Sequence, residues 1–346
     1  MTARDRRHVA AWLFACAALA FLVVLIGGVT RLTRSGLSIV EWQPLVGALP
    51  PLFQADWETL FAKYRETPEF RQVNFSITLE GFKRIFWWEY IHRLLARLIG
   101  VVFLFPYLYF LVRKNLDRPL AWKLGGIFLL GALQGTLGWY MVKSGLVDDP
   151  KVSPVRLTMH LGLALAIFSA ELWLALQLVA PKHRFDGFAP VMPLVVFLMA
   201  LSGGMVAGLR AGYAYNTFPL MNGHIVPPEV MLLEPWWRNF VYNMATVQLV
   251  HRAFFWVLVV LVLAAWWRNR GDLAANALLL AFAAQASLGI ATLLNGVPIP
   301  LGAAHQGGAV LVLAAALWYA HSTVYRKRSS FRTSGSPAPP ARPEAG

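Results

Sequence analysis

Four of the eight histidines in the 346-residue chain, His92, His160, His251 and His305, fall inside long apolar runs. An imidazole buried among apolar residues is costly unless it finds a partner or a ligand. Each of the four lies about three to seven residues past the start of an even-numbered run, which at ~1.5 Å per residue gives a shared depth of roughly 5 to 10 Å. Two imidazoles at one level on facing helices of a four-helix bundle can ligate an iron porphyrin from both faces. Zinc or copper would compete for the same ligands. The absence of a cysteine ligand, and the many Trp, Phe and Gly residues nearby, suit a large flat cofactor better. Gly162, Gly307 and Gly308 follow the ligand candidates closely and either leave room for a ring or let helices approach. His8, His183, His224 and His321 are assigned to interface or solvent.

The elements that must position these residues are apolar helices. With 58% hydrophobic and 14% charged residues, the chain is too apolar for an ordinary soluble domain. Apolar runs long enough to span a bilayer fall at about 11–30, 85–112, 124–142, 157–180, 189–208, 246–266, 273–294 and 301–324. The first is too long for a signal-peptide core and lacks an A-x-A site, so it is kept as a span, and no transit peptide precedes it. A net charge of +14 is spread in short clusters with no basic domain for nucleic acid. Segments on the side of the N-terminus hold 16 Lys/Arg against 12 in opposite segments of about twice the length, which predicts both termini in the cytoplasm of a bacterial inner membrane and the histidines near the outer face. Two long outer segments, 31–84 and 209–245, are rich in Trp, Pro and Tyr and are expected to cap the bundle. The single cysteine, Cys16, permits no internal disulfide. Residues 325–346 read as a disordered cytoplasmic tail.

An internal repeat, offset by roughly 145 to 176 residues, organises the runs. Gly27-Gly28, Arg34, Gly36, Pro44-Leu45, Gly47 and Pro50-Pro51 are echoed by Gly203-Gly204, Arg210, Gly212, Pro219-Leu220, Gly223 and Pro227-Pro228. His92-Arg93 returns as His251-Arg252, Gln134 with Leu137-Gly138 as Gln285 with Leu288-Gly289, and Met159-His160 as Ala304-His305. The predicted fold is an all-α integral membrane protein of eight transmembrane helices, built as two tandem pseudo-symmetric four-helix bundles. The halves are 1–180 and 181–324, in the same orientation, each offering one histidine pair.

The halves differ at one telling position. Glu89 in Glu89-Tyr90-Ile91-His92-Arg93 is replaced by Gln248 in Gln248-Leu249-Val250-His251-Arg252. Three residues before His92, the carboxylate shares a helix face with the ring and can accept or donate a proton beside a bound ligand, which Gln248 cannot do. The alternative is that Glu89 pairs with Arg93 or Arg97. Arg34 and Arg210, following the first and fifth runs, suit haem propionates or snorkel at the interface. Glu171 lies about 16 Å deeper than His160 along its helix, too far for that haem edge, and is left to a proton path or a helix contact.

These motifs resemble those of the haem A synthase family, nearest to its alphaproteobacterial and mitochondrial branch. The resemblance runs from Gly27-Gly28-Val29-Thr30-Arg31-Leu32-Thr33 and Ser35-Gly36-Leu37-Ser38 through Glu89-Tyr90-Ile91-His92-Arg93 to Ala304-His305-Gln306. It implies oxidation of a pyrrole methyl of haem O to a formyl group through a hydroxymethyl intermediate. It further implies substrate haem O between His92 and His160, haem b as cofactor between His251 and His305, and an essential acid at Glu89. Expected partners are membrane lipid, a haem O synthase, an electron acceptor and a second copy of the chain. Some bacterial members carry a cysteine pair in an outer loop; this chain has none there, which leaves the acceptor open. The competing readings are a dihaem cytochrome b-type, quinone-linked electron carrier and a haem-delivery protein.

Overall fold

In the computed structural model, which describes residues 1–43, 46–147, 149–180 and 188–330, each apolar run is a helix. The chain order is α1 (Ala3–Leu32), α2 (Gln54–Arg65), α3 (Pro68–Gln72), α4 (Leu79–Val112), α5 (Arg118–Lys143), α6 (Pro154–Val179), α7 (Val191–Leu209), α8 (Asn239–Tyr242), α9 (Met244–Arg268), α10 (Leu273–Leu294) and α11 (Ile299–Ser330). Among the described residues, eight of these, α1, α4, α5, α6, α7, α9, α10 and α11, are long and apolar enough to cross a membrane, and no strand is present. The protein is a multi-pass membrane protein. Pro44 and Leu45 of the repeat, His183, and the tail beyond 330 lie outside the described residues.

Polar caps set where the spans begin. Thr78, Ser153 and Asn243 accept from backbone N–H groups of Gly81, Arg156, and Ala245 with Thr246, respectively, satisfying donors that a helix start leaves open. The Thr78 cap starts α4 at Leu79, about two turns before its apolar run, so His92 lies further into its helix than the run suggested. That extra length carries Phe82, which with Phe86 and Tyr90 of the run forms an aromatic cluster with Trp57 and Tyr64 of the long connection. The connection therefore packs on α4 as a cap.

Helices α1, α6, α7 and α11 pack against one another at the centre, with α4 and α5 to one side and α9 and α10 to the other. One core joins α1, α4, α5 and α6; the larger core joins α7, α9, α10 and α11 but also takes in residues of α1 and α6. The first core thus lies within residues 1–180, whereas the larger one runs across the seam between the two sequence halves. Crossing that seam, Gln306 Nε2 of α11 donates to the Val24 carbonyl of α1 at 2.6 Å. Within the first half, Trp12 Nε1 donates to the Val102 carbonyl at 2.9 Å and Thr30 Oγ1 to the Trp88 carbonyl at 3.1 Å, tying α1 to α4. The repeat extends to backbone conformation, since Arg34 and Arg210 are both left-handed at φ 55° where their helices end.

Candidate functional site

All four intramembrane histidines lie toward the end of the bundle carrying the two long connections, and each ring rests on a glycine of the helix before it. A Cβ built on Gly27, Gly138 or Gly289 would come within 2.8, 2.9 and 2.8 Å of Cε1 of His92, His160 and His305, and one on Gly203 within 3.2 Å of His251 Cε1. Real Cβ atoms do not approach below 3.0 Å, so the first three notches require glycine as they stand. Each ring also faces the carbonyl four residues before its glycine: Val23, Gln134, Met199 and Gln285. The sequence had marked all four glycines as repeat members without assigning them this contact.

The rings pair as the repeat predicts. His160 lies within electrostatic range of His92, and His251 of His305, each pair combining the second and fourth spans of one half. Among the described residues no group of three or more His, Cys, Asp or Glu comes together. Two facing imidazoles fit the axial positions of a haem iron, whereas a zinc site asks for three or four ligands. None of the four residues is fully buried, so each keeps accessible surface. Nδ1 of both His92 and His160 is buried with no hydrogen bond, while His160 Nε2 lies 3.5 Å from Gln134 Nε2. In the second half the Nδ1 atoms are engaged: Ser202 Oγ lies 2.8 Å from His251 Nδ1, and Gln285 Nε2 lies 3.0 Å from His305 Nδ1. Metal-binding histidines are commonly oriented through the ring nitrogen that does not ligate, as Ser202 can do for His251, whereas the Gln285 amide nitrogen can only donate to His305 Nδ1. The residues present fit a haem in either half.

Glu89 is buried, but its carboxylate turns to the 31–43 connection. Oε2 accepts from Ser38 Oγ at 2.7 Å and from the Ile39 N–H at 2.8 Å, while Oε1 is ion-paired to Arg93 at 2.6 Å. Of the two pairings open from sequence, the one with Arg93 is formed. Arg93 also donates to the Glu41 and Ile39 carbonyls at 3.0 and 2.9 Å. Its counterpart Arg252 donates to the Pro219, Leu220, Tyr215 and Thr217 carbonyls at 3.0, 3.2, 3.1 and 2.8 Å. Both arginines clamp the connection over their half. The Glu/Gln exchange matches what surrounds it. Ser38 and the Ile39 N–H present donors to Glu89, whereas the Ala211 and Tyr215 carbonyls present acceptors to Gln248 Nε2 at 3.2 and 3.1 Å.

Arg34 and Arg210, assigned one to each half, are both exposed and both lie in electrostatic reach of the buried Glu69. Burial raises Glu69 above the usual carboxylate range, and the two arginines pull it back. Two expectations need correction. Gly162 packs on Leu201, Gly307 on Leu25 and Phe21, and Gly308 on the Gln285 side chain, so these three serve helix contacts and leave no room for a ring. His321 is 4% exposed, its ring edge-on to Trp173 at 5.5 Å, and belongs to the core, because α6 and α11 meet there. His8 and His224 are exposed as expected. Glu171 is 1% exposed and lies within electrostatic reach of Cys16.

The fold and site define a multi-span helical membrane protein with two intramembrane histidine pairs. The family described as "Cytochrome oxidase assembly protein" matches residues 10–317, and the chain belongs to it. It is 56% identical to a protein named "Heme A synthase" from Nitrosospira multiformis over 332 residues, 91% of this chain and 93% of that one. A "Heme A synthase" from Nitrosomonas eutropha is 52% identical over 91% of this chain and 93% of its own length, and one from Parvibaculum lavamentivorans 45% identical over 92% and 95%.

Proposed function

We propose that the chain is a haem A synthase, oxidising a methyl group of haem O to a formyl group by way of a hydroxymethyl intermediate. Substrate haem O is held between His92 and His160 in the half formed by 1–180, and resident haem b between His251 and His305 in the half formed by 181–324. The observation that carries this reading is the fourfold recurrence of an imidazole seated on a helix glycine, arranged as two pairs, with an acid three residues before the leading histidine in the first half and an amide in the second. The names borne by relatives at 45 to 56% identity support the activity.

Haem b, when bound, supplies one-electron oxidation and reduction. The chain's own residues position and protect. The glycine notches fix ring depth, and Arg93 and Arg252 hold the connections over the two sites against water. Glu89 is the proton-accepting group of the first half, and Ser38, 2.7 Å from it, is placed to relay a proton. Arg34 and Arg210 are proposed for propionates. Both termini are assigned to the cytoplasm of a bacterial inner membrane, with the haem sites toward the outer face. Haem O synthase and a second copy of this chain are the proposed partners; the electron acceptor is not a cysteine pair of this chain.

The test is expression in a host that makes haem O but no haem A, followed by extraction and chromatography of the haems. Haem A should appear, and Glu89→Gln should abolish it while leaving the spectrum of the second-half haem unchanged. A folded, haem-loaded protein yielding only haem O and haem b would instead favour an electron carrier or a delivery protein.

A further inference from the structure

Resting on the reading that His251 and His305 hold a resident haem, we infer that Ser202 is a positioning residue that fixes the His251 imidazole for ligation, and that its replacement by Ile26 in the first half leaves the His92 site exchangeable. Ser202 is largely buried in α7, directly before the notch glycine Gly203. Its hydroxyl has one proton, donated to the Met199 carbonyl at 2.7 Å. With that proton on the carbonyl, the oxygen offers lone pairs to His251 Nδ1 at 2.8 Å, an arrangement that assigns the ring hydrogen to Nδ1. Nε2 then keeps the lone pair that an iron requires, in a ring whose rotation is restrained before any haem arrives.

The first half lacks this device. Aligning Gly27 with Gly203 puts Ile26 where Ser202 stands, a side chain with no hydrogen-bonding atom, and His92 Nδ1 is buried without a hydrogen bond. The His92 ring is seated on its glycine and faces the Val23 carbonyl, but it has no side-chain partner such as Ser202. A resident cofactor benefits from preorganised ligands, whereas a site that must accept one haem and release another benefits from a ligand that can turn. The two halves are thus differentiated at two positions, Glu89 against Gln248 and Ile26 against Ser202. The second concerns retention of haem.

Haem transfer from the purified, haem-loaded protein to excess apomyoglobin measures this. The phase belonging to the second half is the one missing in His251→Ala; if that substitution removes no phase, the assignment of a haem to this pair fails, independently of Ser202. Ser202→Ala should speed that phase about tenfold and shift the low-spin ferric EPR signal of the same haem, and Ser202→Thr, which keeps the hydroxyl, should restore both. Ile26→Ser should slow loss of the first-half haem by a similar factor. A wild-type rate and signal in Ser202→Ala overturns the inference. Where the Ser202 variants do not fold, or threonine does not restore the rate, Ile26→Ser decides: slower loss upholds the inference and unchanged loss overturns it.

Discussion

Gly138 and Gly135, one turn apart on α5, provide a matched pair for testing the notches. Alanine at either position gains the same helix propensity, about 1 kcal/mol over glycine. A Cβ at Gly135 meets nothing within 4 Å, whereas at Gly138 it meets His160 Cε1 at 2.9 Å. Carbon atoms in contact settle at about 3.5–4.0 Å, so the ring or the helix must yield by roughly 0.6 to 1.1 Å. Overpacking of this kind costs about 1–3 kcal/mol. Gly135→Ala should therefore raise stability by up to about 1 kcal/mol, and Gly138→Ala should fall about 1–3 kcal/mol below it. The larger effect is on function, because a ligand displaced by about 1 Å can cost on the order of a hundredfold in rate. Thermal unfolding in detergent and haem A yield in the host described above measure the two effects. Equal stability, haem loading and yield in both variants would refute the claim that the glycine positions the ring.

Arg252→Lys replaces a planar fork serving four carbonyls by a single ammonium, and should loosen residues 213–238. With hydrogen bonds from a charged donor at about 1.5–3 kcal/mol each, a loss on the order of 3 kcal/mol would speed limited proteolysis of that segment roughly a hundredfold; an unchanged cleavage rate counts against the clamp. Glu69 gives a pH signature. Its folded pKa is raised above the unfolded value by burial, so the stability it contributes is full below the unfolded pKa and is lost as pH rises through the folded one. Relative to wild type, Glu69→Gln should gain stability across that window, beginning near the free carboxylate value of about 4.3, and level off above it. A difference that does not vary with pH would show that Glu69 does not titrate this way.

The spans were legible because each is an apolar run of membrane length, and the α4 start moved because a polar cap, Thr78, lay outside the run. The pairing of the histidines was legible because the repeat aligned His92 with His251 and His160 with His305. The identity of the ring-contacting glycines was not. Gly162, Gly307 and Gly308 are near the histidines in sequence but face other helices, whereas Gly27, Gly138, Gly203 and Gly289 are distant in sequence and touch the rings. Interhelical contact depends on azimuth and depth after packing, which spacing along a single helix does not specify.

The amino-acid order alone determined the eight spans, the doubled plan and the inequality of Glu89 and Gln248, because hydrophobic length, self-similarity and residue type are properties of the chain. Only the tertiary structure decided what each polar group does. It turned Glu89 to Ser38, Ile39 and Arg93, gave Arg93 and Arg252 to the connections, set Arg34 and Arg210 within electrostatic reach of Glu69, and set Ser202 against His251. Apart from the Glu89–Arg93 pair within α4, these join elements far apart in the chain. Burial makes the pairing of those groups necessary, and the packing of the helices selects the partner.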